Sequence, residues 1–201
     1  MMEKIPLKCK ISLSRKEETA EFSFSAVLKV KFLWKSYNNL YLCLFFKKKD
    51  GAVGGVFSSE FRGRKSDLGS LTEFPYMLHL EDEAVPETKD ELLEQINITN
   101  LNEIEEAYVC VVNYDAAVYE KDVTFVEEGG RVELLSDSGD YLEVIADSAD
   151  YGSIYCVCTI KNINGVNSLK KCGCDDEHPE VMDLSTAFEK IPGFKLICDC
   201  Y

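Results

Sequence analysis

Apolar residues recur at every second position from Phe22 to Trp34: Phe22, Phe24, Ala26, Leu28, Val30, Phe32 and Trp34. Lys29 and Lys31 take the opposite parity. A period of two sends alternate side chains to opposite faces, so the spacing predicts one long half-buried strand, bent near its middle. Residues 40–46 are apolar on both parities, as in a central strand. Looser alternation at Leu7, Cys9, Ile11 and Leu13 predicts a first strand over residues 5–13. Lys47-Lys48-Lys49-Asp50-Gly51 predicts a hairpin turn with Gly51 at positive φ, returning through residues 53–57. Further strands are predicted at 107–114, 141–146 and 153–161, with a turn at Asn164-Gly165. A hairpin is predicted from 123–126 into 131–135 across Gly129-Gly130. Helical spacing is confined to 87–94, a turn near 101–106 and a short run at 184–190. About ten short strands punctuated by turns predict an all-β fold, a β-sandwich.

Length and composition fit one such domain over residues 1–170, with 171–201 as a Cys-rich C-terminal extension packed on it. The net charge is −14, which argues against a nucleic-acid binder. Lysine and arginine dominate residues 1–72 and acid dominates 73–201, so the halves are expected to attract each other or to meet a cation or basic partner. The first residues carry Glu3, Lys4, Lys8 and Lys10 and no signal-like apolar core. The 40–46 run is too short to span a bilayer. A cytoplasmic protein without a transmembrane segment is therefore expected.

The stretch from Gly69 to Glu83 carries the first candidate chemistry. Gly69-Ser70 is a turn, Pro75 opens a predicted strand over 76–80, and Glu81, Asp82 and Glu83 follow. Carboxylates on a loop held by a sheet suit a hard cation such as calcium; a solvated acidic loop is the simpler alternative. His79, inside that strand, reads as a structural histidine rather than a base.

The order of short motifs resembles the TerD/TerA family of tellurite-resistance and stress-response proteins, in its TerA-like branch. Lys49-Asp50-Gly51 matches that family's turn. Gly69-Ser70-Leu71, Phe74-Pro75-Tyr76, Asp82-Glu83, Ile96 and Ile98, and Tyr114-Asp115-Ala116 at a strand end follow in the expected order over residues 20–170. The resemblance implies a non-enzymatic β-sandwich that binds calcium through loops at one end of its sheets. Here the ligands would be Asp82, Glu83, Asp115 and Asn39. The family's aspartate-leucine-aspartate-leucine strand stands as Asn39-Leu40-Tyr41-Leu42, so two carboxylates are missing and weak or absent calcium binding is expected. The function expected is a stress-response binding or scaffold protein, working with other proteins or with copies of itself. A metal-independent interaction module is the alternative.

Three Cys-x-Cys pairs remain. Cys156 and Cys158 fall on one strand face and are expected to be buried packing. Cys172, Cys174, Cys198 and Cys200 can form a four-thiolate zinc site, although Cys-x-Cys is tighter than usual zinc spacing; thiol-redox use is the other option. The chain has no P-loop, dinucleotide fingerprint or nucleophile elbow. Lys47, Lys48 and Lys49 with Arg62, Arg64 and Lys65 can make one basic patch, or no more than a solvated hairpin tip.

Overall fold

The computed structural model describes residues 9–81, 87–173 and 180–198. Fourteen strands among them form two sheets. In chain order they are β1 Cys9–Leu13, β2 Thr19–Phe22, β3 Leu28–Trp34, β4 Leu40–Lys48, β5 Val53–Val56, β6 Gly69–Ser70 and β7 Met77–His79. Then follow β8 Leu92–Ile98, β9 Ile104–Asn113, β10 Gly130–Ser136, β11 Asp140–Ala146, β12 Ile154–Ile163, β13 Val166–Lys171 and β14 Val181–Met182. Two short helices are α1 Tyr114–Val118 and α2 Leu184–Lys190. The first sheet runs β1-β11-β10-β3-β8-β7-β6. The second runs β2-β13-β12-β9-β4-β5, with β14 beside β12. The protein is an all-β sandwich. No helix among the described residues is long and apolar enough to cross a membrane.

The inward faces meet in one core that includes Val30 and Phe32 of β3, Leu42 and Leu44 of β4, Val109 and Val111 of β9 and Val132 and Leu134 of β10. The outer face of the first sheet is polar; Arg131 there bridges Glu91 and Glu133. The outer face of the second sheet is apolar: Cys43 and Phe45, Cys110 and Val112, Ile154 and Cys156. It is covered by α2 and by a 3-10 turn at Phe194–Ile197. Two patterns thus coexist. Strands of the first sheet alternate, whereas β4, β9 and β12 each contain an unbroken apolar run, 40–46, 107–112 and 154–158, where both of their faces are covered.

Several sequence expectations are corrected. The alternation from Phe22 to Trp34 belongs to two strands in different sheets, β2 and β3. Between them the chain crosses over, held where Asp140 accepts Ser23 N at 2.9 Å and Asp137 accepts Ser25 N and Ala26 N at 2.8 and 2.6 Å. Phe24 still packs on the common core, so the period of two survives a change of sheet. Residues 87–94 are not a helix. They form a turn followed by β8, which pairs with β3 from Trp34↔Leu92 to Leu28↔Ile98. Residues 123–126 are no strand: Phe125 is buried against Tyr155, and a 3-10 turn at Val126–Glu128 leads into β10, which pairs with β11 and β3. Residues 101–103 turn into β9 through the bond from Ile104 N to Leu101 O, and Tyr114-Asp115-Ala116 opens α1 rather than ending a strand.

The charge asymmetry is answered within the fold. Lys47 meets Glu105 at 3.1 Å, Lys48 meets Glu103 at 3.2 Å, Lys65 meets Glu81 at 2.7 Å and Lys16 meets Glu180 at 3.0 Å. Arg62 pairs with Asp67 at 2.5 Å. Lys47 and Lys48 of the β4–β5 hairpin and Arg62 and Lys65 thus meet acid from separate segments.

Candidate functional site

The site is built where β5 stops short. β5 pairs with β4 only from Leu44 to Lys47, so among the described residues the edge of β4 beyond Leu44 has no strand neighbour on that side. Leu42 sits there, and its backbone groups are satisfied by side chains from the opposite sheet. Glu94 of β8 accepts Leu42 N–H, and His79 Nε2 of β7 donates to Leu42 O at 3.2 Å. His79 Nδ1 in turn accepts Glu81 N–H at 3.0 Å, which places the ring proton on Nε2. His79 is buried and its Nε2 lies 3.5 Å from Glu94. A buried backbone polar group without a partner is costly, so these two side chains stand in for the missing strand.

Above this edge opens a cleft of about 430 Å³ walled by Trp34, Tyr41, Ser59, Glu60, Glu81 and Glu94, with Leu92 and Lys65 at its margin. Trp34 is fixed by its Nε1–H donating to Asn38 O at 3.2 Å. Buried Glu128 anchors the same loop by accepting from Ser36 Oγ and from Asn38 Nδ2. Tyr41 donates its hydroxyl to Glu60 at 2.6 Å; burial first, then Glu60, pushes its ionisation upward, so it stays a donor. Tyr41 also packs edge-on against Phe61 and Tyr114, ring centroids 5.0 and 5.9 Å away, which ties the cleft to α1.

Glu81 accepts from Ser59 N at 3.0 Å and Ser59 Oγ at 2.5 Å, and meets Lys65 at 2.7 Å. Lys65 first, and Ser59 next, hold its carboxyl down at about 2 against the opposing effect of burial. A carboxylate so acidic is a poor proton acceptor at neutral pH. His79 has both ring nitrogens engaged. The hydroxyls of Ser58 and Ser59 face Glu81, not an imidazole. The cleft can therefore fix and neutralise a cationic group; it holds no activated nucleophile among the described residues.

The Glu81 pairing also sets a pH dependence. The folded pKa lies below the ordinary carboxyl value of 4.5, so the unfolded chain binds the proton first as pH falls. The stabilisation is complete above about pH 4.5 and is lost as pH falls toward 2. Lys65 is largely exposed, which holds the contribution to about 1 kcal/mol. Glu81→Gln is expected to lower the urea midpoint at pH 6, and the gap should shrink as pH falls below 4.5 and close only below about pH 2. A gap that does not shrink between pH 4.5 and pH 2 counts against the pairing.

The calcium ligands implied by the sequence are brought together in part. Asn39 O accepts from Tyr114 N at 3.3 Å, so Asn39 lies next to the Tyr114–Asp115 step, and both residues are exposed. Asp82 and Glu83 follow Glu81 directly but lie outside the described residues. Among the described residues no group of three histidine, cysteine or acidic side chains is arranged to hold a metal ion. Of the zinc candidates, Cys172 and Cys198 are described and contribute to the same outer cluster; Cys174 and Cys200 lie outside. Cys156 and Cys158 are both buried, as expected, but they do not share one face. A β-bulge between them puts Cys156 on the outer face and Cys158 in the core between the sheets. Sequence reading missed Glu94, because a glutamate at an inward position of a strand does not look like core. Its signal is parity alone: Glu94, Ile96 and Ile98 share the inward face of β8.

No protein-family model, curated protein or solved structure matches the chain.

Proposed function

We propose that the chain is a non-enzymatic binding or scaffold protein whose cleft beside β4 receives a protein partner presenting a basic side chain flanked by apolar ones. One observation carries this reading. Three carboxylates, Glu60, Glu81 and Glu94, share a cleft with a single lysine, and each is oriented by a donor from the protein itself. Exposed Leu92 and the ring of Trp34 supply the apolar margin. Aromatic walls with oriented acids suit an arginine or lysine stem, whose methylenes pack while its head pairs.

Trp34 is the only tryptophan, so its fluorescence reports the cleft directly. Titration with a short peptide of alternating arginine and leucine is expected to give a saturable change, weakened about tenfold by Glu60→Lys. The same peptide with glutamate for arginine should give no change. Equal responses to both peptides would overturn the reading.

A calcium-linked reading follows from the family resemblance and from the meeting of Asn39 with Tyr114-Asp115. The described residues do not complete a ligand set, so this reading requires Asp82 and Glu83 to supply it. In the same assay, millimolar calcium without peptide should then change the signal and Asp82→Ala/Glu83→Ala should abolish that change. A stress-response role rests on the resemblance alone.

A further inference from the structure

Four cysteines lie in a row across the outer face of the second sheet. Cys43 of β4 faces Cys110 of β9, and Cys110 faces Cys156 of β12. Cys172, just beyond β13, completes the row, with its Sγ 3.4 Å from that of Cys156. The β-bulge is what makes this possible: it turns Cys156 outward and lets Cys172 N bond to Val157 O at 3.1 Å. Cys43 and Cys110 are wholly buried beneath the C-terminal cover.

The last pair differs from the others because a cavity of about 120 Å³ reaches it. Exposed Glu17 and Lys190 belong to its lining, so it communicates with solvent. The lining also includes Thr159, whose buried hydroxyl has no hydrogen-bond partner among the described residues. A buried hydroxyl without a partner is uncommon and points to a polar guest. Lys161, Lys170 and Lys190 line the same cavity against Glu17 and Glu106, leaving an excess of one positive charge.

We propose that Cys172 and Cys156 form a dithiol site that reacts with a small carboxylate-bearing disulfide entering this cavity. Cys172, the more exposed of the two, attacks one sulfur of the incoming disulfide as a thiolate. The S–S bond of the small molecule breaks and its first half leaves, taking up the proton that Cys172 gave up. Cys156 then attacks the Cys172 sulfur of the mixed disulfide. A Cys156–Cys172 bond forms, and the second half leaves with the proton from Cys156. Two protein thiols are oxidised and one small disulfide is reduced to two thiols. The hydrogen bond with Cys156, then burial, pushes the Cys172 thiol up; the hydrogen bond with Cys110, then burial, pushes the Cys156 thiol up against the opposing effect of Cys172, so the exchange is slow and answers sustained oxidation rather than a brief pulse. The ring nitrogens and acids of the cleft at β4 take no part.

The test is incubation of the full-length native protein with glutathione disulfide, followed by thiol counting and peptide mapping by mass spectrometry. The parent is expected to lose two thiols and to show a Cys156–Cys172 crosslink. Cys156→Ser should stop at a single glutathionyl adduct on Cys172, and Cys172→Ser should show neither product. Cys43→Ser should behave as the parent and serves as the folding control. Cystamine, a cationic disulfide, should react several-fold more slowly than glutathione disulfide. Retention of all thiols under native conditions, a Cys110–Cys156 crosslink instead, or equal reaction of Cys172→Ser would overturn the proposal.

Discussion

His79→Ala is expected to destabilise the protein by about 3–4 kcal/mol, among the largest effects open to a single polar substitution here. The ring joins two sheets. It donates to Leu42 O in the second and receives Glu81 N–H in its own. Its removal strands a buried carbonyl and an amide, each costing about 1–3 kcal/mol, and leaves a void on top. Glu94→Ala should cost less, because Leu42 N–H then lies in a cleft that water can reach. Urea unfolding of both single variants and of the pair checks the argument. The two residues serve the same peptide edge, so the double variant should lose less than the sum of the singles. Strict additivity, or a loss below about 1 kcal/mol for His79→Ala, would mean that the edge of β4 is satisfied some other way.

Phe194→Ala is the second large effect. The ring is fully buried, with centroids 5.0 Å from Phe45 and 5.6 Å from Phe188. It sits just after Gly193, whose φ of 86° and approach to Gly54 hold the segment against β5. A Cβ at Gly193 would lie 2.4 Å from Gly54 O. Truncating a buried phenylalanine costs about 3–5 kcal/mol. The cover is short, so much of that loss should appear as local opening rather than global unfolding. Two measurements separate these outcomes. The melting temperature should fall, and the fully buried thiols of Cys43 and Cys110 should react with an aromatic disulfide reagent at least about tenfold faster than in the parent, about 1.4 kcal/mol of opening. An unchanged labelling rate with a lowered melting temperature would show that the cover stays shut until the whole sandwich unfolds.

The all-β architecture was legible in the sequence because β4, β9 and β12 each carry an unbroken apolar run where both faces are covered. The β12–β13 turn at Asn164-Gly165 was equally plain, since both residues take positive φ. The span of α2 was likewise visible, and Asp183 caps it by accepting Thr186 N–H. What escaped was everything that depends on which sheet a strand joins. Phe22 and Phe32 share a parity and a core but belong to opposite layers, and no periodicity records that. The same holds for Glu94 and His79. Their role exists only because β5 ends early and leaves Leu42 to be satisfied from across the sandwich. The bulge at Cys156 inverted a rule that two residues apart means one face. Of the candidate site, Asn39 and Asp115 were legible as neighbours through the motif order, whereas the cleft beside Tyr41 was not.

The pairing of the first two strands has a consequence for how the chain reaches this form. β1 runs parallel to β11, Cys9 opposite Asp140, and β2 pairs with β13, Thr19 opposite Lys170. These two strands therefore wait for partners that are synthesised much later. Loop closure over most of the chain must precede any reward from these contacts, which makes their docking a late and slow event. Until then β11 and β13 stand as open edges, and a nascent chain is most vulnerable to joining a neighbour at those two places.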